Sequence, residues 1–355
     1  MPQAQAVPSS RVPSRLPSLS GVRALSILAV LISHFAATRH HASHFPVLGF
    51  IGVLGVRVFF VLSGFLITFL LLEERQRTGA ISLRGFYRRR ILRIFPAFYA
   101  YLLAVAALKT AGLLHLPWSD FAISAGFLTD FRPTEWNLAH FWSLSSEEQF
   151  YLLWPALLLF AGRPNAMKAA LTAMLATPPL SEALTKLHYP QLAVAALSLN
   201  AIATGCLLAG VRERLHANPR YLRVLGSRWM GLLTPVPLLL ACWQGRGVVM
   251  LYGITALCVA ILIDRVITVP CGFATFLNWR PMVWLGAMSY SLYVWQQVFL
   301  DRYMDNVFTT FPLNLVLTAI CALLSFYFIE CRFLSLKNPA AGPALEAAPT
   351  LVVSR

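Results

Sequence analysis

The chain has 355 residues, 58% of them hydrophobic and only 12% charged, and its mean hydropathy is +0.66. A soluble domain carries about 25% charged residues, so this balance excludes an ordinary soluble fold and points to a polytopic membrane protein. The formal net charge of +15 does not require a nucleic-acid partner, because the cations segregate along the chain in the positive-inside manner.

Residues 1–19 are rich in Pro, Ser and Arg and read as a disordered tail. No cleavable signal peptide is evident, since the first apolar run carries Arg23 and His34. Ten apolar segments follow, at about 21–37, 50–72, 94–111, 149–162, 169–180, 191–210, 229–242, 247–263, 282–300 and 313–333. They predict an all-α integral membrane protein, a bundle of about ten transmembrane helices over residues 20–337, followed by a second disordered tail at 338–355. The fourth and fifth segments fall short of the usual ~20 residues. With the N-terminus inside, most of the 29 Lys and Arg fall on the cytoplasmic side, including seven arginines from Arg75 to Arg93 and five from Arg212 to Arg228. Both termini are then cytoplasmic. The six cysteines are scattered, form no CxxC pair and read as reduced packing residues; no metal site is expected.

In the first segment, Arg23 and His34 are eleven residues apart. Eleven steps of about 100° put both on one helix face, roughly 16 Å apart along the axis. Ionisable residues inside a membrane are costly and mark function by default. His40, His41 and His44 in the first outer loop lack a carboxylate or cysteine nearby and read as a solvated loop rather than a metal site. Arg57 lies roughly 10 Å below the outer end of the second segment. Ser63-Gly64 has no GxSxG context and reads as small residues that let helices approach closely. Before the third segment, Arg89 and Arg93 share a face and Arg90 lies one step round. Such a cluster suits a phosphate-bearing ligand or anionic lipid headgroups, and charge alone favours the lipid. Glu147 and Glu148 stand at the outer mouth of the fourth segment, and Gln296 and Gln297 near the outer end of the ninth. Four elements thus place His34, Arg57, Glu147 and Gln296 in the same outer third of the membrane, and a histidine with a carboxylate is what general-base catalysis needs.

Taken together and in order, these segments resemble the acyltransferase-3 family of integral membrane acyltransferases. The match runs over roughly residues 18–337. Arg23-x10-His34 is similar to the family's R-x10-H element, and Phe59-Phe60-x-x-Ser63-Gly64-Phe65-Leu66 to its FFxxSGFL element. Phe86-x-x-Arg89-Arg90-x-x-Arg93 resembles its basic donor-side element, Trp142-Ser143-Leu144-x-x-Glu147 its WSLxxE element, and Ser289-Tyr290-Ser291-Leu292-Tyr293 and Phe328-Ile329-Glu330 its C-terminal elements. The resemblance implies transfer of an acyl group, usually acetyl, from acyl-CoA to a hydroxyl of a carbohydrate, glycolipid or exported glycan at the bacterial inner membrane. It implies His34 as general base or acyl carrier, with Glu147 beside it, and Arg23, Arg89, Arg90 and Arg93 as donor-binding residues. Arg57, Trp142, Tyr151, Tyr290, Tyr293 and Gln296 are candidates for oxyanion or acceptor contacts. Where many relatives have a histidine, this chain has Gln296, which bonds but cannot shuttle protons. The SGNH-type esterase domain that many relatives append is not expected here. A small macrolide-like acceptor is the alternative substrate, and a proton-coupled transporter using His34 and Glu147 is the alternative function. The acceptor and the oligomeric state are not legible in the sequence.

Overall fold

A backbone crossing a bilayer must satisfy its polar groups internally, so long apolar runs become helices. The computed structural model of the protein describes residues 17–38, 46–233, 235–237, 239–240 and 250–336, and among them there is no strand. The helices are α1 (Pro17–Ala36), α2 (Pro46–Thr78), α3 (Leu83–Thr110), α4 (Trp118–Ala125), α5 (Trp136–Ala139), α6 (Phe141–Phe160), α7 (Gly162–Lys186), α8 (Pro190–His216) and α9 (Pro219–Gly226). A 3₁₀ turn at Arg228–Leu233 precedes α10 (Met250–Thr268), α11 (Gly272–Leu277), α12 (Arg280–Ala287) and α13 (Ser289–Phe299). A short 3₁₀ turn at Val307–Thr309 leads to α14 (Leu313–Leu324), which runs through a π-helical turn (Ser325–Glu330) into α15 (Cys331–Ser335).

Among the described residues, six helical stretches are long and apolar enough to cross a membrane: Pro17–Ala36, Leu48–Thr78, Leu83–Thr110, Pro190–His216, Leu251–Thr268 and Leu313–Ser335. The other four expected segments have specific fates. The fourth lies in α6, which begins at Phe141, two turns earlier than the apolar run, because the polar stretch Ser143–Gln149 is helical too. The fifth is the middle of the 25-residue α7. The seventh retains a 3₁₀ turn and otherwise runs partly outside the described residues. The ninth is interrupted at Met288 into α12 and α13. The loop histidines His40, His41 and His44, residues 1–16 and the tail 338–355 also lie outside the described residues, whereas Pro17–Leu19 are already helical.

α1 packs against α2, α12 and α13, and α2 packs closely along α8. The α2–α8 approach depends on glycine: a Cβ on Gly64 would run into the Ile202 carbonyl, and one on Gly205 into the Val61 carbonyl. The core between α3, α6 and α13 is aromatic. Phe98 and Phe141 are fully buried with Tyr101, whose hydroxyl donates to the Asn137 carbonyl at 2.6 Å. The short α5 is tied to the end of α13: Trp136 Nε1 donates to the Gln297 carbonyl at 3.1 Å, and Asn137 Nδ2 to Asp301 Oδ2 at 3.2 Å. These bonds hold the α5–α6 junction against the end of α13.

Candidate functional site

The polar residues face three adjoining cavities. The first is lined by Arg23 of α1, Ser63 of α2, Arg90 and Arg93 of α3, Glu147 and Tyr151 of α6, and Tyr290 and Tyr293 of α13. Residues three apart on a helix share a face, so Arg90 and Arg93 turn inward together. Arg89 does not join them. It is exposed and pairs with Glu74 at 3.4 Å, so the expected trio of α3 arginines is a pair completed by Arg23. None of Arg23, Arg90 and Arg93 makes an ion pair or hydrogen bond to another described residue. Arg90 lies 4.8 Å over the Tyr151 ring and 5.6 Å over Phe86. Ser63 Oγ donates to Glu147 Oε1 at 3.0 Å, and Tyr151 OH lies 2.9 Å from Glu147 Oε2 and 3.0 Å from Ser63 Oγ. Tyr290 OH donates to the Ile94 carbonyl at 2.8 Å, next to Pro96. The site is therefore a cationic pocket with one carboxylate, its guanidinium hydrogens available to an anion.

The second cavity holds His34, with Ser33, Gly52, Trp136, His140, Trp142, Gln297 and Arg302 around it. His34 meets the Trp136 ring edge-on at 5.5 Å, and the Arg302 guanidinium covers the same indole at 4.1 Å. The Gln296 carboxamide sits beside the imidazole, yet neither of its polar atoms completes a hydrogen bond among the described residues, nor does His34 Nδ1. The third cavity holds Arg57, stacked 3.6 Å over Tyr252, together with Thr129, Asp130 and Thr134. Asp130 accepts from Ser146 at 3.2 Å and from Gln149 at 2.9 Å.

Thin walls divide these spaces. Val56 and Tyr293 line both the arginine cavity and the histidine cavity; Val56 and Trp142 line both the histidine cavity and the Arg57 cavity. Tyr293 is pinned in its wall, donating to the His140 carbonyl at 2.6 Å and lying 2.6 Å from Ser143 Oγ.

The shared outer depth expected for four elements is thus corrected. His34 and Gln296 are neighbours, but Glu147 faces the arginines and Arg57 opens on the adjoining cavity. The reason is helical: with α6 starting at Phe141, Glu147 lies about 9 Å further along the helix than its first residue. Ser63, expected as a spacer, donates to Glu147, while Gly64 makes the close approach to α8 together with Gly205. His140 was missed, since nothing in the sequence signals a buried imidazole at a helix junction. No group of three or more metal-binding side chains occurs among the described residues.

The family profile described as acyltransferase domain matches residues 16–331. The chain is 28% identical to YrhL of Bacillus subtilis, a protein assigned by name only as a peptidoglycan O-acetyltransferase, over 89% of this chain and 54% of that protein. It is 27% identical to peptidoglycan O-acetyltransferase OatA of Listeria monocytogenes, over 89% and 55% respectively. It is 26% identical to O-acetyltransferase OatA of Staphylococcus aureus, over 90% and 57%. The chain spans about half the length of these relatives. No solved structure matches it.

Proposed function

Because the chain belongs to the acyltransferase-3 family, we propose that it moves an acyl group, acetyl in the simplest case, from acyl-CoA to a carbohydrate hydroxyl of the cell envelope. The names of its relatives make a peptidoglycan sugar the first acceptor to test. In this reading the protein is a multi-pass protein of the bacterial inner membrane, about ten spans with both termini cytoplasmic, and residues 20–337 are its acyltransferase unit.

One observation carries the reading. Three guanidinium groups with no hydrogen-bond partner among the described residues face one cavity, an imidazole faces the next, and the two share a wall of Val56 and Tyr293. A donor with a phosphate-rich head and a slender thioester arm fits that sequence of surfaces. Its phosphates would lie on Arg23, Arg90 and Arg93, which bind phosphate as planar forks. Its arm would pass the wall and bring the thioester to His34, roughly 16 Å from Arg23 along α1. His34 would then take the proton of the acceptor hydroxyl as the oxygen attacks the thioester carbonyl. The Gln296 amide beside it would donate to the oxyanion. Collapse breaks the C–S bond, and the departing thiolate takes the proton from the imidazolium.

His34→Ala should lower transfer by roughly 10²–10⁴-fold, the usual worth of a general base, with the protein still inserted in the membrane. Near-normal transfer would remove His34 from the chemistry. Arg90→Ala should raise the acyl-CoA KM by about tenfold or more, because it deletes a charge-assisted contact. An unchanged KM would move the donor site elsewhere.

A further inference from the structure

The His34 cavity contains a second imidazole that the mechanism above does not use. His140 is 3% exposed and sits at the junction of α5 and α6, edge-on to Tyr101 and in contact with the Tyr293 ring. Its Nε2 lies 3.2 Å from the Val294 carbonyl. A carbonyl can only accept, so Nε2 carries the hydrogen and Nδ1 presents a lone pair. That Nδ1 is buried and has no partner among the described residues. The Gln297 Oε1 on the same cavity is likewise buried and unpartnered, while the backbone carbonyl of Gln297 is held by Trp136 Nε1. Buried polar atoms are nearly always satisfied, and a cluster of exceptions lining one cavity marks where a polar ligand belongs.

We propose that His140 and Gln297 form the acceptor subsite, with His140 Nδ1 receiving a hydrogen bond from a hydroxyl next to the one that His34 deprotonates. This deepens the reading of the chain as a carbohydrate acyltransferase and rests on it. Two acceptor atoms beside a base require a ligand carrying several hydroxyl donors. That is a saccharide ring rather than a simple alcohol. Arg302 and Trp136, stacked together at the same cavity, supply an amphipathic face of the kind a sugar ring lies against. His140 is then a specificity residue: it selects which hydroxyl stands opposite His34.

The two ring nitrogens can be replaced separately. A glutamine amide has the same reach from Cβ as Nε2, and an asparagine amide the same reach as Nδ1. His140→Gln therefore keeps a donor for the Val294 carbonyl and deletes the lone pair, while His140→Asn does the reverse. The protein in lipid nanodiscs is assayed with acetyl-CoA and the peptidoglycan disaccharide N-acetylglucosaminyl-N-acetylmuramic acid. His140→Gln should raise the disaccharide KM about tenfold or more, the loss of one buried hydrogen bond, with the acetyl-CoA KM unchanged. His140→Asn should recover most of that loss. Disaccharide binding is also read without chemistry, as quenching of tryptophan fluorescence. Binding by the wild type that His140→Gln weakens supports the subsite even where His34→Ala fails to abolish transfer. An unchanged disaccharide KM and affinity in His140→Gln overturns the subsite while leaving the acyltransferase reading intact. So does a wild type that binds no disaccharide, or a variant whose acetyl-CoA KM rises by the same factor as its disaccharide KM.

Discussion

Glu147 stands in a pocket whose other charged groups are cations. Its carboxylate is held by Ser63 and Tyr151, not by Arg23, Arg90 or Arg93, so it acts on the arginines through space. An anionic donor entering the pocket meets that carboxylate as a competitor for the same field. Glu147→Gln should therefore lower the acyl-CoA KM, a few-fold at low salt, and steady-state kinetics over a salt series checks it. A raised KM would mean that the carboxylate positions the arginines rather than opposing the donor. That Arg23 and His34 lie on one helix was legible in the sequence, because helix geometry needs no tertiary knowledge, whereas their opening on different cavities was not. The Ser63–Glu147–Tyr151 set was only half legible. The i, i+4 relation of Glu147 and Tyr151 follows from sequence, but Ser63 comes from α2, and a contact between helices leaves no periodic signal. His140 was invisible for the same reason: its partner, the Val294 carbonyl, lies 154 residues away.

At the scale of elements, the helices with the clearest apolar runs were the ones the sequence located well, and the errors fell where polar residues are helical. Ser143–Gln149 reads as a loop by hydropathy, yet Ser143, Ser146, the Glu147 carboxylate and the Gln149 amide find partners on α2, α13 and the α4–α5 loop, which offsets much of the cost of burial and lets the helix continue. The same principle operates at the ends of α8, α9 and α10. Asp264 is fully buried and accepts from Arg212 Nε at 2.7 Å, Tyr221 OH at 2.7 Å and His216 Nε2 at 3.0 Å. One carboxylate thus joins three helices. Removing one partner of a fully buried ion pair costs about 3–5 kcal/mol. Arg212 keeps 15% of its side chain exposed, which places the expected loss for Asp264→Ala at the lower end of that range. Thermal unfolding in detergent should show a clearly lowered midpoint, with donor and acceptor KM of the surviving fold unchanged. A wild-type midpoint would mean that the cluster is solvated rather than structural.

Across the whole molecule, the proposed transfer depends on how the cavities are partitioned. Among the described residues Val56 is the one side chain that lines the arginine, histidine and Arg57 cavities alike, and it sits on α2 one residue after Gly55, where α2 lies close against α1. In the proposed reading the donor arm crosses the wall between the cationic pocket and the imidazole here, so the size of Val56, with Tyr293 beside it, sets the room for that crossing. A donor arm threading that passage needs a small residue there, whereas phosphate binding on the arginines does not. Val56→Trp should then uncouple the two: acyl-CoA binding measured by equilibrium dialysis stays within a few-fold of wild type, while acyl transfer falls by about two orders of magnitude or more, as misplacing a reacting group does. Overpacking costs roughly 1–3 kcal/mol on its own, so the midpoint of unfolding is measured alongside. Val56→Ala serves as the opposite change, opening the passage and sparing transfer. If Val56→Trp kept full transfer, the thioester would have to reach His34 by some route other than the wall shared by the two cavities.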